Sequence, residues 1–143
     1  LMCNTNSSNT INDDTKNKIV KLVNDRVNYE ISMEKSSNEY YQYSLSSVNI
    51  NEVGYLEIYL NTLSTPKSKN DLVEEASNWC EYIAIAQMDG VYLKDIMKNK
   101  IRVSLILDMR DKKNVLIWGS YRYNSGWDGE EGYDNFDRIV KRY

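Results

Sequence analysis

Two cysteines and no histidine set the limits on the chemistry this sequence can carry. Histidine is the usual general acid–base group near neutral pH and the commonest metal ligand. Its absence removes Ser-His-Asp and Cys-His nucleophile pairs and every zinc site built on imidazole. Cys3 and Cys80 do not form a CxxC pair, so no redox or zinc motif is present. Any catalysis would have to use carboxylates, Lys, Tyr or Arg, and the expectation leans to a protein that is not an enzyme and needs no cofactor. Paired carboxylates could serve a glycosidase-like mechanism. Glu57 is of interest there only if it faces a pocket.

The remaining chemistry lies in aromatic and acidic residues. Twelve Tyr and three Trp stand against one Phe. Tyr and Trp join apolar area to a polar handle, which suits contact surfaces. Trp118, Tyr121 and Tyr123 fall on one predicted strand, and Trp127 follows beside Gly126 in an acidic loop. These four are the candidate contacts for a protein, peptide or glycan, although strand propensity alone also favours Tyr and Trp in half-buried strands. In the same loop Asp128, Glu130, Glu131 and Asp134 cluster among glycines, as oxygen ligands for a hard cation do. Their spacing does not match the D-x-[DN]-x-[DN]-G pattern, so a solvated loop is the plainer reading. With 18 Lys and Arg against 21 Asp and Glu, the net charge of −3 speaks against nucleic acid as a partner.

Residues 1–10 are short and polar after Cys3, a composition that buries too little apolar area to offset its ordering entropy. They read as a flexible tether before a single domain over 11–143. A cysteine near the start, a polar Asn/Ser/Thr tether and a folded domain together resemble the mature form of a small bacterial surface lipoprotein of the Gram-positive type. The resemblance covers about ten residues, and Met2 stands where that family places a small residue. It implies that Cys3 carries a lipid, that the domain is displayed at the cell surface, lipid-anchored or secreted, and that the membrane is touched only through that lipid. The chain opens on Leu1, so a preceding segment is expected. Cys80 lies on an apolar helical stripe and reads as a small core hydrophobe.

The elements that must position these residues follow from periodicity. Asn12 or Thr10 caps a first helix with Asp13 and Asp14 in its first turn. Val27, Tyr29, Ile31 and Met33 alternate with polar residues and predict a strand. Tyr40 to Ile50 and Tyr55 to Leu63 predict two more, with Leu56, Ile58 and Leu60 facing the core. The longest helix starts near Asn70 or Asp71, carries a stripe of Leu72, Ala76, Trp79/Cys80, Ile83, Ala84 and Gln87, and stops at Asp89-Gly90. A short turn of helix fits Tyr92 to Met97. Ile101 to Met109 and Val115 to Tyr123 predict an antiparallel hairpin, and Asn124 to Gly132 a loop. Phe136, Ile139, Val140 and Tyr143 fit a closing helix or strand.

The expected fold class is two-layer α+β: an antiparallel sheet of about five strands with helices on one face, in the order α-β-β-β-α-β-β. Cystatin-like and NTF2-like domains are analogies. Three functions fit it. The first is a non-enzymatic binding module using an aromatic sheet face. The others are a small NTF2-like or hydrolase-type enzyme with a sheet–helix pocket, and an inhibitor or immunity-type protein using the acidic loop.

Overall fold

A computed structural model describes residues 11–36, 43–62, 69–107 and 116–129. The first element, α1 (Asp13–Ser36), is a continuous 24-residue helix. Asn12 caps it: its Oδ1 accepts the Thr15 N–H at 2.8 Å, and Asp13 and Asp14 follow at the positive end of the dipole. Ile19, Val23, Val27 and Ile31 recur every four residues and are all buried. The strand expected over Val27 to Met33 is therefore the last part of this helix. Tyr29 and Met33, which would have shared a face with Val27 and Ile31 in a strand, are 55% and 51% exposed.

Among the described residues seven strands follow: β1 (Tyr43–Ile50), β2 (Leu56–Thr62), β3 (Gln87–Met88), β4 (Val91–Tyr92), β5 (Ile101–Leu107), β6 (Leu116–Arg122) and β7 (Gly126–Gly129). Two more helices, α2 (Lys69–Ala84) and α3 (Leu93–Met97), lie between β2 and β5, α2 before the β3–β4 pair and α3 after it. Five strands form one mixed sheet in the order β1-β2-β5-β6-β7, and β3 pairs with β4 separately. The β1–β2 and β5–β6 pairs are antiparallel, as expected from short links, and β6–β7 is antiparallel as well. The central β2–β5 pair is parallel, because the chain leaves β2, crosses over through α2 and α3, and returns in the same direction.

Both long helices cover one side of this sheet. Leu56, Ile58 and Leu60 from β2 and Ile101, Val103 and Leu105 from β5 join Ile19, Val23 and Val27 of α1 and Leu72, Trp79, Cys80 and Ile83 of α2 in a single buried cluster. Trp79 takes the edges of Tyr43 and Tyr82 at centroid distances of 5.3 and 5.9 Å. Arg26 Nε donates to the Tyr82 carbonyl at 3.0 Å and ties α1 to the end of α2. The α+β class, the core face of β2 and the α2 stripe through Ala84 are as expected.

Two further expectations change. The Asp89-Gly90 pair does not stop α2, which ends at Ala84; it is the two-residue loop of the β3–β4 hairpin. Asp89 and Gly90 both have positive φ, 53° and 80°, the conformation such a loop demands. Gln87 accordingly lies on β3, exposed, and not on the helical stripe. Part of the loop expected at 124–132 is strand β7, which turns back from β6 through Asn124 at φ 62°.

Candidate binding face

Strand alternation sorts the sheet residues into two sides. On the helix side Val103 stands opposite Tyr121, and Tyr121 opposite Trp127. Tyr121, Tyr123 and Trp127 are half-buried and pack against the core. These candidate contact rings therefore complete the helix-side layer at its β6–β7 end. Trp127 lies over Gly119: a Cβ on that glycine would come within 2.3 Å of the indole Cζ2. Only glycine lets the indole settle that closely on the strand, and its requirement here is close approach, not unusual φ. Trp118 lies on β6, but its side chain falls outside the described residues, as do Cys3, Glu130, Glu131 and Asp134.

The opposite side carries no described helix; two polar rows cross its strands, and the next row brings the buried Ile106 to the same side opposite Asn61. Asn49, Glu57, Arg102 and Arg122 are successive register partners on β1, β2, β5 and β6. The adjacent row runs Ser47, Tyr59, Ser104, Ser120 and Asp128 across five strands. Within these rows the Ser104 and Ser120 hydroxyls hydrogen-bond at 2.8 Å and are buried. Glu57 accepts from the Tyr59 hydroxyl at 3.2 Å, and the Asn49 amide lies at 3.5 Å. Glu57 thus lies on a sheet face, held by its neighbours. Asp128, offered above as a cation ligand, accepts from Arg122 Nη2 at 3.0 Å. Among the described residues no group of three His, Cys, Asp or Glu could hold a metal ion.

The two arginines are the part of this face that sequence reasoning missed. They stand directly opposite each other on an antiparallel pair, where like charges repel. Ion pairs among the described residues are Lys21–Asp25, Arg26–Glu30 and Arg122–Asp128, and Arg102 belongs to none of them. The Arg102 guanidinium lies 5.4 Å from the Tyr55 ring centroid, a cation–π contact that neutralises no charge. The Nε atoms of Arg102 and Arg122 are both shielded from solvent without an acceptor among the described residues. A sequence signal existed: Arg102 alternates with Ile101 and Val103 on one predicted strand of the hairpin, and Arg122 lies on the other. Turning that into a pair needed the register, which the bulge between Leu105 and Ile106 displaces.

Cys80 lies in the core, and burial, with a smaller contribution from the Glu81 carboxylate, pushes its thiol up to about 12. A thiol held protonated is neither nucleophile nor metal ligand at neutral pH.

The chain matches no family model, no curated protein and no solved structure, so its function is argued from its own residues and geometry.

Proposed function

We propose that this chain is a non-catalytic binding module, displayed on a bacterial cell surface through a lipid on Cys3, that meets its partner with the helix-free face of its sheet. The observation that carries the reading is the pair of polar rows from Asn49 to Arg122 and from Ser47 to Asp128, on a side where no described helix packs. A sheet face of a two-layer domain is rigid, and its side chains are fixed in register by the backbone ladder. Such a face presents many weak polar contacts at constant spacing, which suits recognition of another surface. Tyr55 and Tyr59 add the amphipathic area that contact surfaces favour. No helix of the described residues is long and apolar enough to cross a membrane, and in this reading the attachment is the lipid on Cys3.

A photo-crosslinking residue tests the face. Placed at Asn49, exposed on the polar side, it should give a partner adduct on intact cells. The same residue at Asn28, exposed on α1, should not. Equal adducts at both positions, or none at Asn49, would reject the reading. The anchor has its own test: Cys3→Ser should move the protein from the membrane fraction to the medium, and a protein still in the membrane fraction after that change would remove Cys3 from the account.

A further inference from the structure

We infer that Arg102 and Arg122 form a carboxylate-binding site for an acidic peptide segment of a partner protein. The inference rests on the binding-face reading above and gives that face its ligand chemistry. Charge placement is the first argument. Two guanidinium groups face each other across β5 and β6, and one internal carboxylate, Asp128, is bonded to Arg122. The neighbouring carboxylate in the row, Glu57, is hydrogen-bonded to Tyr59 and forms no ion pair with Arg102. Among the described residues Arg102 therefore has no ion-pair partner, with the Glu57 carboxylate beside it in the row but bonded elsewhere, and one monoanionic group would complete a pair with it.

Desolvation is the second argument. The Nε atoms of both arginines are shielded from water and have no acceptor among the described residues. A charged donor that has lost hydration without gaining an acceptor carries an unrecovered cost. An anion bound to the remaining N–H groups lowers that cost and cancels the repulsion between the two heads. In partly desolvated surroundings such a contact is stronger than at a fully exposed arginine.

Geometry selects the carboxylate. The Arg102 guanidinium carbon lies 5.4 Å from the Tyr55 ring centroid, and a guanidinium over a ring face keeps N–H groups for a planar acceptor. The Arg122–Asp128 contact shows a carboxylate already accepting from this pair. The site is a pleated surface whose strands lie about 4.8 Å apart, a spacing suited to side chains projected from another chain.

The test uses isotope-labelled full chain and a capped peptide of alternating glutamate and serine, followed through the arginine Nε–Hε resonances. Those of Arg102 and Arg122, identified from Arg102→Lys and Arg122→Lys spectra, should shift saturably. Arg102→Gln should weaken the peptide by about tenfold, the loss of one charge-assisted contact. Arg102→Lys, which keeps the charge and loses the fork, should fall between. The wild-type titration needs no variant to fold. No saturable shift at these two resonances overturns the inference. Equal shifts from inorganic phosphate, or from vesicles containing phosphatidylglycerol, at matched anion concentration overturn it as well, because they show general anion attraction. Crosslinking separates this inference from the reading beneath it. If Arg102→Gln leaves the Asn49 adduct at full yield, only the carboxylate site falls; if wild type gives no Asn49 adduct, the binding face itself falls.

Discussion

At the scale of single residues, the strongest constraints concern atoms that leave no room for substitution. Gly119 is one. Its missing Cβ is the space that Trp127 fills, so Gly119→Ala forces the indole or β7 to move. Overpacking of this kind costs about 1–3 kcal/mol, read as a lower urea midpoint. The Trp127→Leu background should recover part of that loss, since the clash is with the indole. If Gly119→Ala proves neutral, Trp127 is not seated there. Cys80 gives a second test. Its thiol is protonated in the fold up to about pH 12 and ionises near its ordinary value of 9.0 once unfolded. Below pH 9 both states hold the proton and the thiol adds no pH dependence. Between 9 and 12 the unfolded chain binds fewer protons than the native one, so stability must fall as pH rises. Cys80→Ala should flatten that decline, measured by urea unfolding across the window. In Cys3→Ser protein at pH 8, Cys80 should also resist a thiol reagent until the chain unfolds.

At the scale of elements, legibility depended on whether one period excluded the other. In β2, Leu56, Ile58 and Leu60 alternate with polar residues and have no helical reading, and the structure buries all three. In α1 the residues at Val27 and Ile31 satisfy both periods, because four is twice two. Tyr29 and Met33 then complete an apparent strand, although the four-residue stripe from Ile19 decides the outcome. Substitution at Tyr29 distinguishes the two states. On an exposed helical surface Tyr29→Ala should change stability by no more than about 0.5 kcal/mol, whereas Tyr29→Pro should cost roughly 3 kcal/mol or more by breaking the helical ladder. A strand would show a clear loss with alanine. The parallel β2–β5 pair and strand β7 were hidden for other reasons. Pairing direction across a crossover is a tertiary outcome with no local signature. Four residues rich in Gly and Asp carry almost no strand propensity, and β7 exists because β6 offers an edge and Trp127 a place to pack. The proposed binding face shared that fate: its residue types were visible, but their rows became visible only with the register.

At the scale of the whole molecule, the largest described core cluster lies on one side of the sheet and the proposed contact rows lie on the other. The core joins α1, α2, β2 and β5 in a single cluster. No described long helix has a separate apolar centre, so unfolding should be one cooperative event. Helical circular dichroism and the fluorescence change of buried Trp79 should then share a midpoint in urea. The two sides of β5 make the division of labour measurable. Leu105 is fully buried on the helix side, and Leu105→Ala should cost about 2–5 kcal/mol through lost transfer energy and the cavity left behind. Arg102, on the same strand, faces away from that layer, forms no ion pair among the described residues, and lies 5.4 Å from the Tyr55 ring centroid. Arg102→Gln forfeits a cation–π contact worth about 0.5–1 kcal/mol and removes a repulsion with Arg122. These effects oppose each other, so its unfolding midpoint should stay close to wild type. A large loss would mean that Arg102 is structural and that the polar face is part of the scaffold. A small one would mean that the chain keeps at this position an arginine its fold does not require, which is the condition a binding surface has to meet.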